Sequence, residues 1–124
     1  MCPTTLAILS AAFDKLGAHA DDVVPVFISI DPKRDTPEVL KSYLASFGPR
    51  FAGLTGTDKE VAAVAKAYHV FYQEHPGESG TYTLDHSSVI YLMDTNGAVL
   101  TNYSLATKPD DMSNDIRKRL AAVD

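Results

Sequence analysis

A near-continuous apolar run is the feature that most constrains the fold of this chain. Val23, Val24, Val26, Phe27, Ile28 and Ile30 follow one another with little interruption and end at Asp31-Pro32. A run that is rich in β-branched residues and lacks polar alternation is typical of a strand covered on both faces in a parallel sheet. The remaining sequence must then supply helices to cover it.

Four segments have helical spacing together with start or stop signals. The segments are Leu6–Leu16 before Gly17, a helix opened by Asp35-Thr36-Pro37-Glu38 and closed by Gly48-Pro49, a helix capped by Thr57 or Asp58 that runs to about Tyr68, and a last helix from Lys108 to beyond Leu120. The alternation of helices with apolar runs predicts an α/β fold.

The other predicted strands are shorter. Residues 51–55 form a strand candidate, and Ser88–Met93 and Ala98–Tyr103 form a hairpin across the turn Asp94-Thr95-Asn96-Gly97. Between them the pattern weakens, with a brief strand at 70–72 and a mobile loop at 75–80.

The length and charge of the chain limit the kinds of fold and function that it can have. A chain of 124 residues with 45% hydrophobic residues is sized for one domain with one core, and we predict a single domain over residues 1–124. A formal net charge of −5 gives no electrostatic reason for nucleic-acid binding. The sequence has no apolar run of membrane-spanning length and no signal-peptide pattern.

The order of elements has one irregularity. An α/β sheet normally begins with a strand that feeds its first helix, whereas here the first helix starts at the N-terminus. We therefore expect the fold to lack its first strand.

Cys2 is the single cysteine, and it stands directly before Pro3 and the first predicted helix. A thiol at a helix N-terminus faces unpaired N–H groups and the positive end of the dipole, which favour the thiolate that binds metals and attacks disulfides. The alternative is an incidental cysteine that behaves as a small apolar residue.

His86 is the second candidate, because Asp85-His86-Ser87-Ser88 lies where the predicted loop enters a buried strand. Thiolate and imidazole together favour copper and zinc over calcium and magnesium. The alternative is a histidine that only hydrogen-bonds at a strand end. The other histidines, His19, His69 and His75, have the sequence context of solvated side chains.

Asp31 follows the carboxyl end of the Val23–Ile30 run, at the edge where open α/β sheets gather functional groups. It is a candidate to orient a metal-binding side chain from outside the ligand set, or else it only forms the turn before Pro32. We interpret Lys33-Arg34-Asp35 as a solvated loop with local charge pairs. A serine hydrolase built on Ser87 or Ser88 is excluded because the strand-turn-helix elbow is absent from the pattern.

Three blocks, Cys2-Pro3-Thr4-Thr5-Leu6, Val26–Pro32 leading into Asp35–Glu38, and Asp85–Asp94, closely resemble the Sco/SenC family in order and spacing. The resemblance covers nearly the whole chain. It implies a thioredoxin-like fold with a mixed sheet flanked by helices, and the role of a copper chaperone in assembling the copper centre of cytochrome c oxidase. It also implies thiol-disulfide activity as a related role.

In that family copper is held by two cysteines of a Cys-x-x-x-Cys-Pro motif and a distant histidine. The resemblance assigns Cys2 and His86 to the second cysteine and the histidine, and Asp31 to a nearby acidic residue outside the ligand set. The first cysteine would fall four positions before Cys2, ahead of Met1. The implied cargo is Cu(I), with Cu(II) left open.

We expect an N-terminally shortened protein or a misplaced start, because the first cysteine and the first central strand are missing together. That loss would place the Val23–Ile30 and Ser88–Met93 strands in separate sheets.

The resemblance also implies the copper-bearing subunit of cytochrome c oxidase and copper-donor proteins as partners. It implies a membrane-anchored full-length form in the bacterial periplasm, or alternatively in the mitochondrial intermembrane space. The competing functions are a thiol-disulfide oxidoreductase with Cys2 as its redox thiol, and an inert fragment.

Overall fold

The computed structural model describes residues 3–86 and 89–122. Its elements alternate along the chain: α1 (Pro3–Leu16), β1 (Val26–Ile28), α2 (Pro37–Ala45), β2 (Ala52–Leu54), α3 (Asp58–Ala67), β3 (Tyr72–Pro76), β4 (Tyr82–His86), β5 (Ile90–Met93), β6 (Val99–Tyr103) and α4 (Pro109–Ala121). In this part of the chain the strands pair as β1 with β2, β3 with β4 and β5 with β6.

The described residues divide into two compact units. The first unit contains α1, the segment Leu44–Ala52, β5, β6 and α4, and the second contains β1, residues 37–43 of α2, α3, β3 and β4. That the whole chain is one domain stays a prediction. No helix among the described residues has the length and apolarity to cross a bilayer.

The first unit is built on the packing of α1 against α4. The predicted first helix is confirmed, and it ends at Gly17, whose φ of +60° is a conformation that glycine adopts at little cost. A 3₁₀ helix over Gly17–Asp22, which the sequence pattern did not indicate, contains His19. The buried cluster joins both helices to the β6 end: Ala12, Phe13, Leu16, Ala20, Tyr103, Met112 and Ile116.

Polar contacts also join these elements of the first unit. The Tyr103 hydroxyl donates to Asp115 Oδ2 at 2.6 Å, and Lys15 Nζ lies 2.7 Å from Asp110 Oδ1. Since α1 begins at the residue after Cys2, this packing anchors the helix that the metal-site prediction depends on.

The predicted C-terminal hairpin is confirmed, with β5 antiparallel to β6. The Asp94 carboxylate accepts hydrogen bonds from the N–H groups of Asn96 and Ala98, both at 2.9 Å, and Gly97 has a φ of +85°. Ser88 lies outside the described residues, and Val89 is described but does not belong to β5, so the predicted Ser88–Met93 strand is confirmed over Ile90–Met93.

The second unit begins with a strand shorter than predicted. β1 spans only Val26–Ile28, and its two outer residues are 49% and 41% exposed. The prediction of a strand covered on both faces is therefore wrong for the described part of the chain. There β1 pairs only with β2, in a two-stranded sheet. β1 and β5 belong to different sheets, as predicted.

Capping fixes the starts of two helices as predicted. Thr36 Oγ1 accepts a hydrogen bond from the N–H of Val39 at the start of α2. At the start of α3, Thr57 and Glu60 form a capping box, with Glu60 N–H donating to Thr57 Oγ1 at 3.2 Å and Thr57 N–H donating to Glu60 Oε1 at 3.0 Å.

The segment predicted as a weak strand and a loop is a hairpin. β3 and β4 pair antiparallel, with Tyr72 opposite His86 and Pro76 opposite Tyr82. The loop prediction for residues 75–80 is wrong at its start, because His75 and Pro76 belong to β3. The sequence pattern did not predict β3 because its last four residues, QEHP, are exposed and mostly polar. No apolar alternation therefore marks the strand.

Candidate metal centre

The structure describes the three predicted site residues to different extents. Cys2 lies outside the described residues, and α1 starts immediately after it. His86 is the last residue of β4. The prediction that His86 lies where a loop enters a strand is corrected accordingly. Asp31 is 8% exposed and lies three residues beyond β1. The pairing of Cys2 with His86 stays a prediction.

Asp31 accepts hydrogen bonds on both carboxylate oxygens. The Tyr82 hydroxyl donates to Oδ1 at 2.6 Å, and Arg34 Nε donates to Oδ2. The backbone N–H of Asp31 donates to Ser29 Oγ at 3.0 Å. Tyr82 is the first residue of β4, so Asp31 is bonded to the strand that ends at His86.

Further contacts surround this carboxylate. Ser29 Oγ donates to Asp35 Oδ2 at 2.5 Å, and both residues are buried. Arg34 donates from Nη1 to the carbonyl oxygen of Tyr82 at 3.0 Å, and its guanidinium carbon lies 4.0 Å from the centroid of the Tyr82 ring. The interpretation of Lys33-Arg34-Asp35 as a solvated loop is wrong for Asp35, which is buried. A local charge pair is present as expected, between Arg34 and Asp31, but the contacts of Arg34 with Tyr82 were not predicted.

The electrostatics keep Asp31 ionised at neutral pH. Burial raises the pKa of Asp31, but the hydrogen bonds from Tyr82 and Arg34 and the positive charge of Arg34 outweigh burial, so the pKa lies below its ordinary value. The hydrogen bond to Asp31 raises the pKa of the Tyr82 hydroxyl. Both carboxylate oxygens of Asp31 accept hydrogen bonds, so this arrangement ties Asp31 to the start of β4.

A shallow hollow of about 200 Å³ lies beside Asp31 in the second unit. It is lined by Ile30, Asp31, Pro32, Lys33, Asp58, Val61, Tyr72 and Glu74. Tyr72 is the residue opposite His86 in the hairpin register, so the hollow reaches the strand pair that carries the predicted ligand. Among the described residues, no group of three or more His, Cys, Asp or Glu side chains is arranged to hold a metal.

Sequence reasoning missed Arg34 and Tyr82. The two residues are 48 positions apart, and neither belongs to a metal-binding or catalytic spacing. Their association depends on β4, a strand that the sequence pattern did not reveal, so the sequence carried no direct signal for it.

Comparison with known proteins identifies the family. A family model described as SCO1/SenC matches residues 1–121. A SCO2-like protein of Rickettsia conorii is 43% identical over 119 residues, which cover 94% of this chain and 58% of that relative. The chain spans about half the length of the first curated relatives it matches.

Two similar solved structures carry copper. The structure of Bradyrhizobium japonicum ScoI with copper bound has a TM-score of 0.87 and 40% identity, over 94% of this chain and 74% of that one. Arabidopsis thaliana ScoI with copper bound has a TM-score of 0.89 and 38% identity, over 98% and 76%. The prediction of a thioredoxin-like α/β fold is thereby confirmed. The chain belongs to the SCO1/SenC family.

Proposed function

We propose that this protein binds copper as a cargo and passes it to another protein. The observation that carries the proposal is the similarity of nearly the whole chain to two Sco proteins whose structures contain copper. The proposed ligands are the Cys2 thiolate and the His86 imidazole, together with a cysteine four positions before Cys2. Two thiolates and one imidazole make a soft three-coordinate site suited to Cu(I).

Two features of the chain favour these ligands. α1 has 14 residues and begins at Pro3, so its dipole favours the thiolate form of the preceding cysteine. His86 ends a strand whose first residue is tied to buried Asp31, and a rigid element holds a ligand better than a loop does. Asp31 then acts from outside the ligand set, as the sequence predicts.

The recipient in this proposal is the copper-bearing subunit of cytochrome c oxidase, and the copper arrives from a copper-donor protein. Delivery proceeds by ligand exchange, in which thiolates of the recipient replace those of the chaperone one at a time. The proposed location is the bacterial periplasm, with the mitochondrial intermembrane space as the alternative.

A thiol-disulfide oxidoreductase is the second candidate, favoured by the thioredoxin-like fold with Cys2-Pro3 at the start of α1. In that function the Cys2 thiolate attacks a partner disulfide and forms a mixed disulfide, and His86 has no part in the exchange. The two functions therefore differ in their dependence on His86.

Competition of the protein with a chromogenic Cu(I) chelator tests the proposal. The 124-residue chain and a form with Cys-Ala-Ala added before Met1, which creates the Cys-x-x-x-Cys spacing, are titrated side by side. The added cysteine should tighten Cu(I) binding. In the extended form, His86→Ala should weaken binding by more than about 100-fold, beyond the usual cost of losing a residue outside the ligand set.

His19→Ala, in the 3₁₀ helix of the first unit, is the matched control and should leave affinity unchanged. Thiol exchange with a small disulfide is measured on the same variants. Equal copper affinity for His86→Ala and His19→Ala, with exchange intact, would refute copper handling and favour the oxidoreductase.

A further inference from the structure

We infer that Tyr82 is a positioning residue, which fixes where β4 presents His86 through its contacts with Asp31 and Arg34. We call Asp31, Arg34 and Tyr82 the β4 clamp. The inference rests on the proposed function, because it assigns the clamp a role in the affinity of the copper site.

Three separate contacts hold Tyr82. Its hydroxyl donates to Asp31 Oδ1 at 2.6 Å, its carbonyl oxygen accepts from Arg34 Nη1 at 3.0 Å, and its ring lies 4.0 Å from the Arg34 guanidinium carbon. Because one contact uses the backbone and two use the side chain, both the position and the orientation of the first residue of β4 are fixed. Arg34 also donates to Asp31, which closes the triangle.

The other side of the clamp is anchored in the β1–β2 sheet. The carbonyl oxygen of Asp31 accepts from the N–H groups of Arg34 and Asp35, at 3.2 and 2.9 Å. Asp31 N–H donates to the hydroxyl of Ser29, whose own N–H donates to the carbonyl oxygen of Leu54 in β2. Asp31 and Ser29 are buried, so this anchor is among the more constrained parts of the second unit.

Strand pairing gives the hairpin limited support among the described residues. In the described part of the chain β3 and β4 pair only with each other, and four of the five residues of β3 are exposed. An isolated two-stranded hairpin is marginal in water. The clamp therefore adds a constraint on β4 that strand pairing alone does not supply.

The strand transmits that constraint to His86. His86 lies four positions after Tyr82, which is about 13 Å of extended backbone. The register puts Pro76 opposite Tyr82 and Tyr72 opposite His86. A register slip of one residue would turn every β4 side chain to the other face of the hairpin. By holding Tyr82 in place, the clamp opposes such a slip and so keeps His86 at its position.

Tyr82→Phe tests the inference because it removes the hydroxyl and keeps the ring. Tyr103→Phe is a matched control, because the Tyr103 hydroxyl donates to a carboxylate at the same 2.6 Å, in the first unit. Two measurements are made on the full chain: amide hydrogen exchange of the metal-free protein, and Cu(I) affinity by chelator competition in the form with Cys-Ala-Ala before Met1.

Tyr82→Phe should raise exchange rates in residues 72–86 by about tenfold, the effect of losing one charge-assisted hydrogen bond, and should weaken Cu(I) binding by about tenfold. Tyr103→Phe should leave the exchange rates in residues 72–86 unchanged, because Tyr103 belongs to the first unit. Arg34→Lys is a second variant, which keeps the charge but cannot form all three Arg34 contacts, and it should give effects in the same direction.

Native exchange rates in residues 72–86 of both clamp variants would overturn the inference. A Cu(I) affinity of Tyr82→Phe equal to that of the unsubstituted extended form would also overturn it, provided that His86→Ala weakens binding. If His86→Ala has no effect, the proposed function fails and the clamp has no role in copper binding. The exchange rates of the metal-free protein then still show whether the clamp holds β4.

Discussion

Met112→Ala should strongly destabilise the first unit, because Met112 is fully buried in the cluster that joins α1 to α4. Removing three buried heavy atoms costs about 2.5 kcal/mol in transfer free energy at about 0.8 kcal/mol per methylene equivalent. Incomplete collapse of the resulting cavity raises the expected loss in the free energy of unfolding to about 3 kcal/mol.

Urea unfolding followed by far-ultraviolet circular dichroism and by tyrosine fluorescence measures this loss. With a slope of about 1.5 kcal/mol per molar urea, the midpoint should fall by about 2 M. Coincident transitions by the two probes would justify a two-state treatment. Lys118→Ala, at an exposed position of the same helix, is the control and should change the free energy of unfolding by less than about 0.5 kcal/mol. Equal midpoints for the two variants would refute the assignment of Met112 to a shared core.

Thr57→Ala removes the capping hydroxyl of α3 and should lower the free energy of unfolding by about 1 kcal/mol in the same urea assay, whereas an unchanged midpoint would argue against the capping box. Gly97→Ala should lower the free energy of unfolding by about 1 kcal/mol. Gly97 has a φ of +85° and open space where a Cβ would lie, so the whole loss comes from the backbone conformation. An unchanged urea midpoint would contradict the turn geometry. Acid should also destabilise the protein. The pKa values of Asp31 and Asp115 are lowered in the folded state, so their contribution is complete above about pH 4 and is lost as the pH falls through the folded values. A urea midpoint that stays constant from pH 5 to about pH 2.5 would contradict this ion-pair assignment.

Local rules predicted the helices and the C-terminal hairpin. The caps at Thr36 and Thr57 and the stop at Gly17 are encoded within a few residues of the helix ends they define. Asp94 and Gly97 likewise specify their turn through short-range hydrogen bonds and a left-handed backbone. These features depend on neighbours along the chain, and so they can be predicted from one sequence.

The β3–β4 hairpin and the clamp could not be predicted in this way. β3 has exposed polar residues that resemble a loop, and the partners of Tyr82 are about 50 positions away in sequence. Cys2, His86 and Asp31 were proposed from their residue chemistry and from the family resemblance. No spacing in the sequence links Asp31 to β4, because that link depends on a tyrosine without a metal-binding signature.

Each compact unit contains a tyrosine–carboxylate hydrogen bond of 2.6 Å among the described residues, at Tyr82 with Asp31 and at Tyr103 with Asp115. The pKa values of both phenols are raised, so their stabilising contribution is complete below about pH 10 and is lost as alkali ionises them. The chain contains six tyrosines and no tryptophan, which leaves its near-ultraviolet spectrum to phenols. Alkaline absorbance titration of the protein beside its Tyr82→Phe and Tyr103→Phe variants therefore reports on these two hydrogen bonds without any added label.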